Sequence, residues 1–432
     1  MLATRPEFAF DLGEHLESLN ARDALGKRWG RYLRWRAEGP SAYADPSQRL
    51  ADWLQSEAAR EVPAYAGAAS GLGLIDKGTI RRRGSEFVSR ASAGQTVWRR
   101  STSGTTGAPV TFLFDRDRHF EQLILAVPKI VVRAGAVAAF RRSTLCLHVT
   151  DTQVGGNSAF ADPLDRFGTM LRGRIDQAKP GGVARVAEWL RDLRPGVVTA
   201  RPEIFAVMLA EPAVARELET HPPDLLVSSG SELSAGLRVR LAEQVAAPIA
   251  IAYGLCEFGV VASSCPVCGH LHLDDPNIAL ELGGPTNDEA ILSGFGNAAM
   301  PLLRYRTGDR LQLTQERCES GAPGPTIVRV VGRVVPAFRF AGGRVFSPTH
   351  FTSLLDLFPI REYQLTQVDL DSVELRVEPR AGAAAEVHGL LGDLRSHLEA
   401  GLPGGVAVEV RSMHFGDQKV ARFRTLCSES SP

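Results

Sequence analysis

The sequence has few cysteines, no net charge and no long apolar run. Six cysteines in 432 residues are too few for the disulfide framework of a small secreted scaffold. Lysine plus arginine and aspartate plus glutamate both number 49, so no basic excess favours nucleic acid or an anionic membrane surface. No apolar stretch approaches the ~18 residues of a membrane helix, and the first residues lack the pattern of a secretory signal. We therefore expect a cytoplasmic protein that binds neither nucleic acid nor membrane.

The order of apolar and amphipathic segments predicts an α/β protein. Residues 1–70 have helical periodicity and are expected to form a helical leader of the large domain. From about 95 to 330, short apolar runs such as 143–149 and 225–229 alternate with helical stretches, which favours a largely parallel sheet covered by helices. Beyond Gly332 the pattern becomes strand, strand, helix, strand. We therefore predict a large domain over 71–335 and a small α+β C-terminal lid domain over 336–432.

A loop rich in serine, threonine and glycine is the most informative stretch of the chain. Glycine lets the backbone N–H groups approach an anion closely, and the hydroxyl side chains add donors that rotate to suit. The loop is not a Walker A loop, because no Gly-Lys-Ser/Thr follows its glycines. The alternative is a polar hairpin between two strands. Its central residues are Thr102, Ser103, Gly104, Thr105, Thr106 and Gly107.

Further short segments follow this loop in a particular order. They are Ser229-Gly230-Ser231-Glu232, Tyr253-Gly254-Leu255-Cys256-Glu257, Tyr305-Arg306-Thr307-Gly308-Asp309, Gly332-Arg333 and Lys419. Together with the loop they resemble the adenylate-forming superfamily of acyl-CoA synthetases, luciferases and adenylation domains. Leu74-Ile75-Asp76-Lys77 and Gly416-Asp417-Gln418-Lys419 make the phenylacetate-CoA ligase branch the most similar. The resemblance spans roughly residues 70–425.

The resemblance implies a large adenylate-forming domain that activates a carboxylic acid with ATP. The acid's oxygen would attack the α-phosphate, and pyrophosphate would leave. In this reading Glu257 holds Mg²⁺, Asp309 accepts hydrogen bonds from the ribose hydroxyls, and Lys419 reaches the carboxylate and the α-phosphate. The implied catalytic residues are Lys419, Glu257 and Thr102. The implied nucleotide-binding residues are Ser103, Gly104, Thr105, Thr106, Gly107, Ser229, Gly230, Ser231, Glu232, Tyr253, Gly254, Asp309 and Arg333.

The acid pocket of this branch corresponds to two short segments. Small residues would open space and an aromatic wall would favour a flat aromatic acid, and the expected product is its CoA thioester. Homodimers are common among such proteins, so a homodimer is possible. His148 is either a core histidine or, with Asp151, a group that orients polar ring substituents. The implied pocket residues are Val154, Gly155, Gly156, Phe258 and Gly259.

Three departures from the family pattern leave open whether the acyl-adenylate is converted to a CoA thioester. Cys256 replaces the usual hydroxyl residue before the glutamate, and Ala108 replaces a lysine common in the loop. Val335-Pro336 replaces the acidic pair at which the small domain usually swivels, and proline stiffens such a hinge. One alternative is therefore transfer of the acyl group to a carrier protein, an amine or a reductive partner. Another is a nucleotide-binding pseudoenzyme.

A cysteine-rich segment indicates a candidate structural zinc site. A Cys-x-x-Cys turn aims two thiolates at one tetrahedral ion, and a histidine and a further cysteine would complete the site. Some relatives in this branch resemble the chain in carrying zinc at the matching place. The alternative is a set of free surface thiols. The predicted ligands are Cys265, Cys268, His272 and Cys318.

Overall fold

In this computed structural model two compact units are distinguished. The first comprises Met1–Arg100, Thr111–Thr307 and Leu311–Val331, and the second comprises Ser101–Val110, Gly308–Arg310 and Gly332–Pro432. The structure describes residues 9–10, 12–68, 72–101, 110–150, 157–176, 179, 181–284, 287–314, 316–333, 338–346, 348–351, 355, 358–379, 387–402, 404–415 and 422–427.

A sheet in which thirteen strands are described dominates the first unit. Its order is β1-β5-β6-β4-β7-β8-β9-β10-β11-β15-β14-β13-β12, and a separate pair is formed by β2 and β3. The strands are β1 Ala9–Phe10, β2 Trp98–Ser101, β3 Thr111–Phe114, β4 Thr144–Thr150, β5 Ser158–Ala161, β6 Thr169–Arg174, β7 Val197–Ala200, β8 Leu225–Ser229, β9 Ile249–Leu255, β10 Gly259–Ser264, β11 Leu271–Leu273, β12 Ile278–Gly283, β13 Glu289–Gly294, β14 Leu302–Thr314 and β15 Thr326–Arg333.

The centre of this sheet is parallel, and its flank is antiparallel. Strands β6, β4, β7, β8 and β9 pair in parallel, whereas β9, β10, β11 and β15 pair antiparallel. All four residues of β7 are buried, as expected for a strand covered on both faces. Because parallel strands place their carboxyl ends at one edge, β4, β7, β8 and β9 end together, where ligands bind in open α/β sheets.

Helices cover the first unit's sheet. Leucines, valines and aromatic residues of α8 to α11 pack on β4, β6, β7 and β8 to form one buried core. Within the described residues no helix is both long and apolar enough to span a membrane. The helices are α1 Leu12–Asn20, α2 Arg22–Glu38, α3 Pro46–Leu54, α4 Glu57–Arg60, α5 Lys77–Arg83, α6 Arg116–Phe120, α7 Ala126–Ala134, α8 Arg185–Leu193, α9 Pro202–Ala210, α10 Pro212–Thr220 and α11 Ala235–Gln244.

The described part of residues 1–70 contains helices α1 to α4, as its helical periodicity predicts. Helix α2 buries Leu25, Trp29, Tyr32 and Trp35, a spacing of three or four residues that places them on one face. The hydroxyl of Tyr32 donates to the carbonyl of Lys129 at 3.1 Å. The aromatic stripe therefore anchors this segment on the first unit.

The second unit has a small α+β core. It contains the hairpin β16 Phe338–Phe340 and β17 Arg344–Phe346, and a four-stranded sheet in the order β20-β19-β18-β21. The remaining elements are β18 Ile360–Gln367, β19 Ser372–Pro379, α12 Val387–Gly401, β20 Ala407–Ser412 and β21 Phe423–Thr425. The predicted fold class, α/β with a small α+β C-terminal part, is confirmed. The three-residue β21, parallel to β18, was not predicted.

Candidate functional site

The predicted adenine-binding turn lies at the carboxyl edge of the parallel strands. Ser229 ends β8 and is in register with Ala252 of β9, so the turn and Tyr253 are on neighbouring strands. Gly230 has φ +87°, and a Cβ there would lie 3.3 Å from Cγ of Arg201. The positive φ therefore favours glycine at this position, whereas the Arg201 side chain could shift to make room for a Cβ.

The next two residues of this turn already have polar partners. The hydroxyl of Ser231 donates to Oε1 of Glu203 at 2.8 Å. Glu232 lies 3.9 Å from Arg329 in an ion pair whose two side chains are each 61% exposed. Ser231 is therefore engaged within the protein, whereas the exposed Glu232 pair is weak.

Glu257 lies in the turn that joins β9 to β10. The turn is closed by the N–H of Phe258, which donates to the carbonyl of Leu255 at 3.2 Å. Glu257 is only 6% exposed, and its Oε1 accepts a hydrogen bond from the hydroxyl of Tyr305 at 2.8 Å. Burying a carboxylate is costly unless it receives such hydrogen bonds.

Lys77 is the second contact of Glu257, and its role was not predicted from the sequence. Its ammonium lies 3.4 Å from Oε1 of the carboxylate. Asp76 caps α5 by accepting from the N–H of Thr79 at 2.7 Å, which fixes Lys77 as the first residue of that helix. The contacts from Tyr305 and Lys77 are both to Oε1 of Glu257, and neither is to Oε2. The remaining oxygen fits a hard cation such as Mg²⁺, which binds carboxylates together with substrate phosphates.

The predicted pocket residues Phe258 and Gly259 contact Gln122. The Gln122 amide donates to the carbonyl of Phe258 at 2.7 Å, and a Cβ on Gly259 would lie 2.7 Å from Gln122 Cδ. The Phe258 ring is 3% exposed and lies 5.8 Å from the Tyr305 ring. It therefore packs into the core beside the Glu257 contact.

Cys256 and Asp309 are also described. Burial is the main cause that raises the pKa of the Cys256 thiol to about 11, and Glu257 adds to it, so this side chain stays a neutral thiol. Asp309 lies on β14 and is 6% exposed, after Gly308 with φ +75°. Arg333 ends β15.

The remaining predicted site residues lie outside the described residues. They are Thr102, Ser103, Gly104, Thr105, Thr106, Gly107, Val154, Gly155, Gly156 and Lys419.

The structure brings the four predicted zinc ligands together. Their donor atoms all lie within 4.8 Å of one another. The Cys265 and Cys318 sulfurs are 3.9 Å apart, and Cys268 Sγ lies 3.3 Å from His272 Nε2. Tetrahedral zinc, with Zn–S near 2.3 Å and Zn–N near 2.0 Å, separates two sulfurs by about 3.8 Å and sulfur from nitrogen by about 3.5 Å. The spacing and the donor chemistry both fit zinc.

The pKa shifts of the candidate metal ligands differ from one residue to the next. Burial, with contributions from Arg133 and His270, lowers the pKa of His272 to about 4, so the imidazole is neutral. Burial raises the pKa of Cys265, but hydrogen bonds from Ser320 and from the backbone of Cys268 outweigh it and lower the pKa overall. Burial raises the pKa of Cys268 to about 11, so zinc would have to displace the proton of that thiol, because neutral imidazole and thiolate are the forms that bind zinc.

Comparison with known proteins shows which proteins this chain is similar to. No model of a known protein family matches the chain. A phenylacetate-coenzyme A ligase of Thermus thermophilus is 26% identical over 299 residues, which is 64% of each chain. The match therefore spans less than two thirds of that relative's length.

Solved structures extend the comparison to nearly the whole chain. A 2-hydroxyisobutyryl-CoA ligase in the postadenylation state, with an acyl-AMP bound, superposes with a TM-score of 0.60 at 17% identity over 98% of this chain and 93% of that one. The chain has the fold of the adenylate-forming CoA ligases. The same ligase with its acyl-AMP and CoA, in the thioesterification state, gives a TM-score of 0.51 at 18% identity over 94% and 90% of the two chains. The resemblance to the adenylate-forming superfamily and to its phenylacetate-CoA ligase branch is confirmed.

Proposed function

We propose that the chain is an ATP-dependent ligase that converts an aromatic carboxylic acid to its acyl-adenylate and then to a CoA thioester. The observation that carries the proposal is the buried Glu257 carboxylate, held by Tyr305 and Lys77 in the turn after β9, near the carboxyl edge of the parallel strands where ligands bind in open α/β sheets. The aromatic substrate follows from the similarity to a phenylacetate-CoA ligase.

Each residue has one task in this proposal. Glu257 would hold Mg²⁺, which when bound offsets the charge of the triphosphate. The turn at 229–232 and Tyr253 would contact the adenine, and Asp309 would accept from the ribose hydroxyls. Residues 102–107 would donate hydrogen bonds to the β- and γ-phosphates. Lys419 would place a positive charge beside the acid and the α-phosphate.

ATP–pyrophosphate exchange with a panel of aromatic acids tests the proposal. We expect exchange that depends on one class of acid, and thioester formation when CoA is added. Lys419→Ala should lower exchange strongly while ATP still binds, whereas Lys27→Ala, a change of an exposed lysine, should leave it unaltered. Absence of exchange with every acid would refute the adenylation step and favour the nucleotide-binding pseudoenzyme.

One feature of the sequence favours an acyl acceptor other than CoA. Val335-Pro336 stands where the family has a flexible acidic pair, and proline restricts both itself and its neighbour. A stiff hinge would allow adenylation and hinder the swing to thioester formation. Exchange without CoA acylation would therefore indicate transfer to a carrier protein, an amine or a reductive partner.

We also propose that Cys265, Cys268, His272 and Cys318 hold a structural zinc ion. All four coordination positions would be filled by the protein, which is the arrangement of structural rather than catalytic zinc. The cluster follows β10, and six strand residues of about 3.4 Å each separate it from the Glu257 turn by roughly 20 Å. Such an ion would stabilise the fold without taking part in the reaction.

A further inference from the structure

The backbone that follows Glu257 is held by two side chains from another part of the chain. The carbonyl of Phe258 accepts a hydrogen bond from Nη2 of Arg118 at 2.9 Å and another from Nε2 of Gln122 at 2.7 Å. A carbonyl oxygen has two lone pairs, so the two donors use both of them. The N–H of Phe258 closes the Glu257 turn by donating to the carbonyl of Leu255 at 3.2 Å. The peptide groups on both sides of Phe258 are therefore fixed by hydrogen bonds.

The two donors belong to a helical stretch that contains a π-helical turn. Helix α6 leads into the turn Glu121–Leu125, which leads into α7. Asp115 caps the start of this stretch by accepting from the N–H of Arg118 at 2.8 Å. Arg118 and Gln122 are four residues apart, a spacing that places side chains on one helix face. π-Helical turns are rare and occur frequently at functional sites. Gln122 is the second residue of this one, which favours a role in the site as well as in the fold.

Arg118 is anchored by two buried carboxylates. It is 4% exposed, and its Nη1 lies 3.0 Å from Glu121 and 2.5 Å from Asp275. Lys129 also contacts Glu121, at 2.9 Å. Removal of Arg118 would leave these buried carboxylates with less compensation, which is strongly destabilising. Arg118 therefore serves the fold and the Glu257 turn at once.

Gln122 is uncharged and only partly buried, and Arg100 orients its amide. A guanidinium donates hydrogen bonds and cannot accept them, so the side-chain oxygen of Gln122 faces Arg100. The amide nitrogen is thereby left to donate to the Phe258 carbonyl. Gly259 has φ +75°, and a Cβ there would lie 2.7 Å from Gln122 Cδ, so the backbone passes close to this side chain. Gln122 therefore contacts the turn without compensating a buried charge.

We propose that Gln122 is a positioning residue for the ligase reaction, which holds the backbone of the turn so that Glu257 can bind Mg²⁺. The Glu257 side chain is held by Tyr305 and Lys77, and the backbone beside it by Gln122 and Arg118. Groups that orient a metal ligand without touching the metal contribute about 10–100-fold to metal affinity. The inference rests on the proposed function and adds to it a residue that acts through the backbone.

Gln122→Met tests this inference, because methionine is of similar length and has no donor for the Phe258 carbonyl. In the full chain without ligands, amide hydrogen exchange of residues 255–260 should become roughly two- to tenfold faster, as the loss of one hydrogen bond predicts. The dissociation constant of Mn²⁺ in the presence of ATP, measured by electron paramagnetic resonance, should rise by about tenfold or more. Mn²⁺ serves as the probe because it prefers the same oxygen ligands as Mg²⁺. The Mg²⁺ concentration for half-maximal pyrophosphate exchange should rise in parallel, with KM for the acid unchanged.

Two further variants control this experiment. The Gln95 amide donates to the Ala91 carbonyl at 3.2 Å from an exposed position, so Gln95→Met should leave all of these measurements unchanged. In Gln122→Glu the carboxylate can still accept from Arg100 but cannot donate to Phe258. Residues 255–260 should therefore again exchange faster, and this variant takes the place of Gln122→Met if circular dichroism shows that the latter is unfolded.

The outcomes separate this inference from the proposed function. Unchanged Mn²⁺ affinity in Gln122→Met would overturn the inference and leave the ligase proposal standing. A raised KM for the acid with an unchanged Mg²⁺ requirement would assign Gln122 to the acid pocket and also overturn it. Equally faster hydrogen exchange in the strand 225–229 would show a general loss of stability and overturn it as well. Weakened Mn²⁺ binding in a chain whose wild type shows no pyrophosphate exchange with any acid would refute the ligase proposal and retain the positioning role. No binding of Mn²⁺ with ATP in the wild type would refute both.

Discussion

Removing the hydroxyl of Tyr305 isolates one hydrogen bond to the candidate magnesium carboxylate. Tyr305→Phe keeps the ring, which is fully buried and contacts the rings of Phe112 and Phe258 at 6.3 and 5.8 Å. It removes the 2.8 Å bond to Glu257, leaving Lys77 as that carboxylate's contact. A hydrogen bond to a charged group contributes roughly 1.5–3 kcal/mol. We expect the free energy of unfolding, measured in urea without Mg²⁺, to fall by about that amount.

The same variant should change the magnesium requirement. A group that orients a metal ligand contributes about 10–100-fold to metal affinity, so the Mg²⁺ concentration for half-maximal pyrophosphate exchange should rise by about tenfold or more. Tyr65→Phe is the matched control. The Tyr65 hydroxyl, also buried, donates to the Pro301 carbonyl and accepts from the Leu303 N–H, both at 3.1 Å. Its loss should lower stability by about 1–3 kcal/mol without altering the Mg²⁺ requirement. An equal shift in both variants, or in neither, would refute the assignment of Glu257.

Three further predictions concern packing, metal and pH. Gly173→Ala should lower the free energy of unfolding in urea by about 1–3 kcal/mol, because the new Cβ meets the Trp189 ring. We expect mass spectrometry to find one zinc ion per chain in the wild type and none in Cys268→Ser, whose stability should fall by about 3 kcal/mol at zinc levels a hundredfold above Kd. His148 has a folded pKa of about 4 against an ordinary value of 6.5, so the unfolded chain takes up the proton first. Stability should therefore fall as pH drops from about 6.5 to 4, by up to about 3 kcal/mol, and His148→Gln should flatten this part of the pH curve.

Each of these three predictions has a result that would contradict it, and the first two have a control variant. Gly236→Ala has open space around its Cβ and should be neutral or stabilising, so an equal loss in both glycine variants would contradict the packing argument. Cys427→Ser lies outside the metal cluster and should retain zinc, so zinc loss there, or none in Cys268→Ser, would contradict the ligand assignment. An unchanged pH slope in His148→Gln would show that other groups govern acid stability.

Much of the fold could be predicted because its strands are short apolar runs in a regular order. The strand at 225–229 was placed with the bounds that the structure has, and the helix at 183–193 begins two residues later, at Arg185. Buried parallel strands appear as continuous apolar runs, and such runs are visible without any contact information. The proximity of the four candidate zinc ligands could be predicted in part because Cys265, Cys268 and His272 are near neighbours in the sequence.

The contacts of the candidate site could not be predicted in the same way. Lys77 and Tyr305 meet Glu257 from far along the chain, and a lysine after a helix cap has no pattern of its own. Such contacts are decided by tertiary packing, which a single sequence does not display.

Strand β10 connects the turn that carries Glu257 to the cluster of cysteines and histidine, and it is paired on both sides, with β9 and β11. A change at the cysteines and histidine therefore acts on a strand that is hydrogen-bonded to two neighbours and not on a free loop. Under the two proposals, an oxidant or a chelator that acts at these side chains should lower pyrophosphate exchange, because it loosens the far end of the strand that follows the Glu257 turn. The redox conditions of a purification would then affect the specific activity of the preparation.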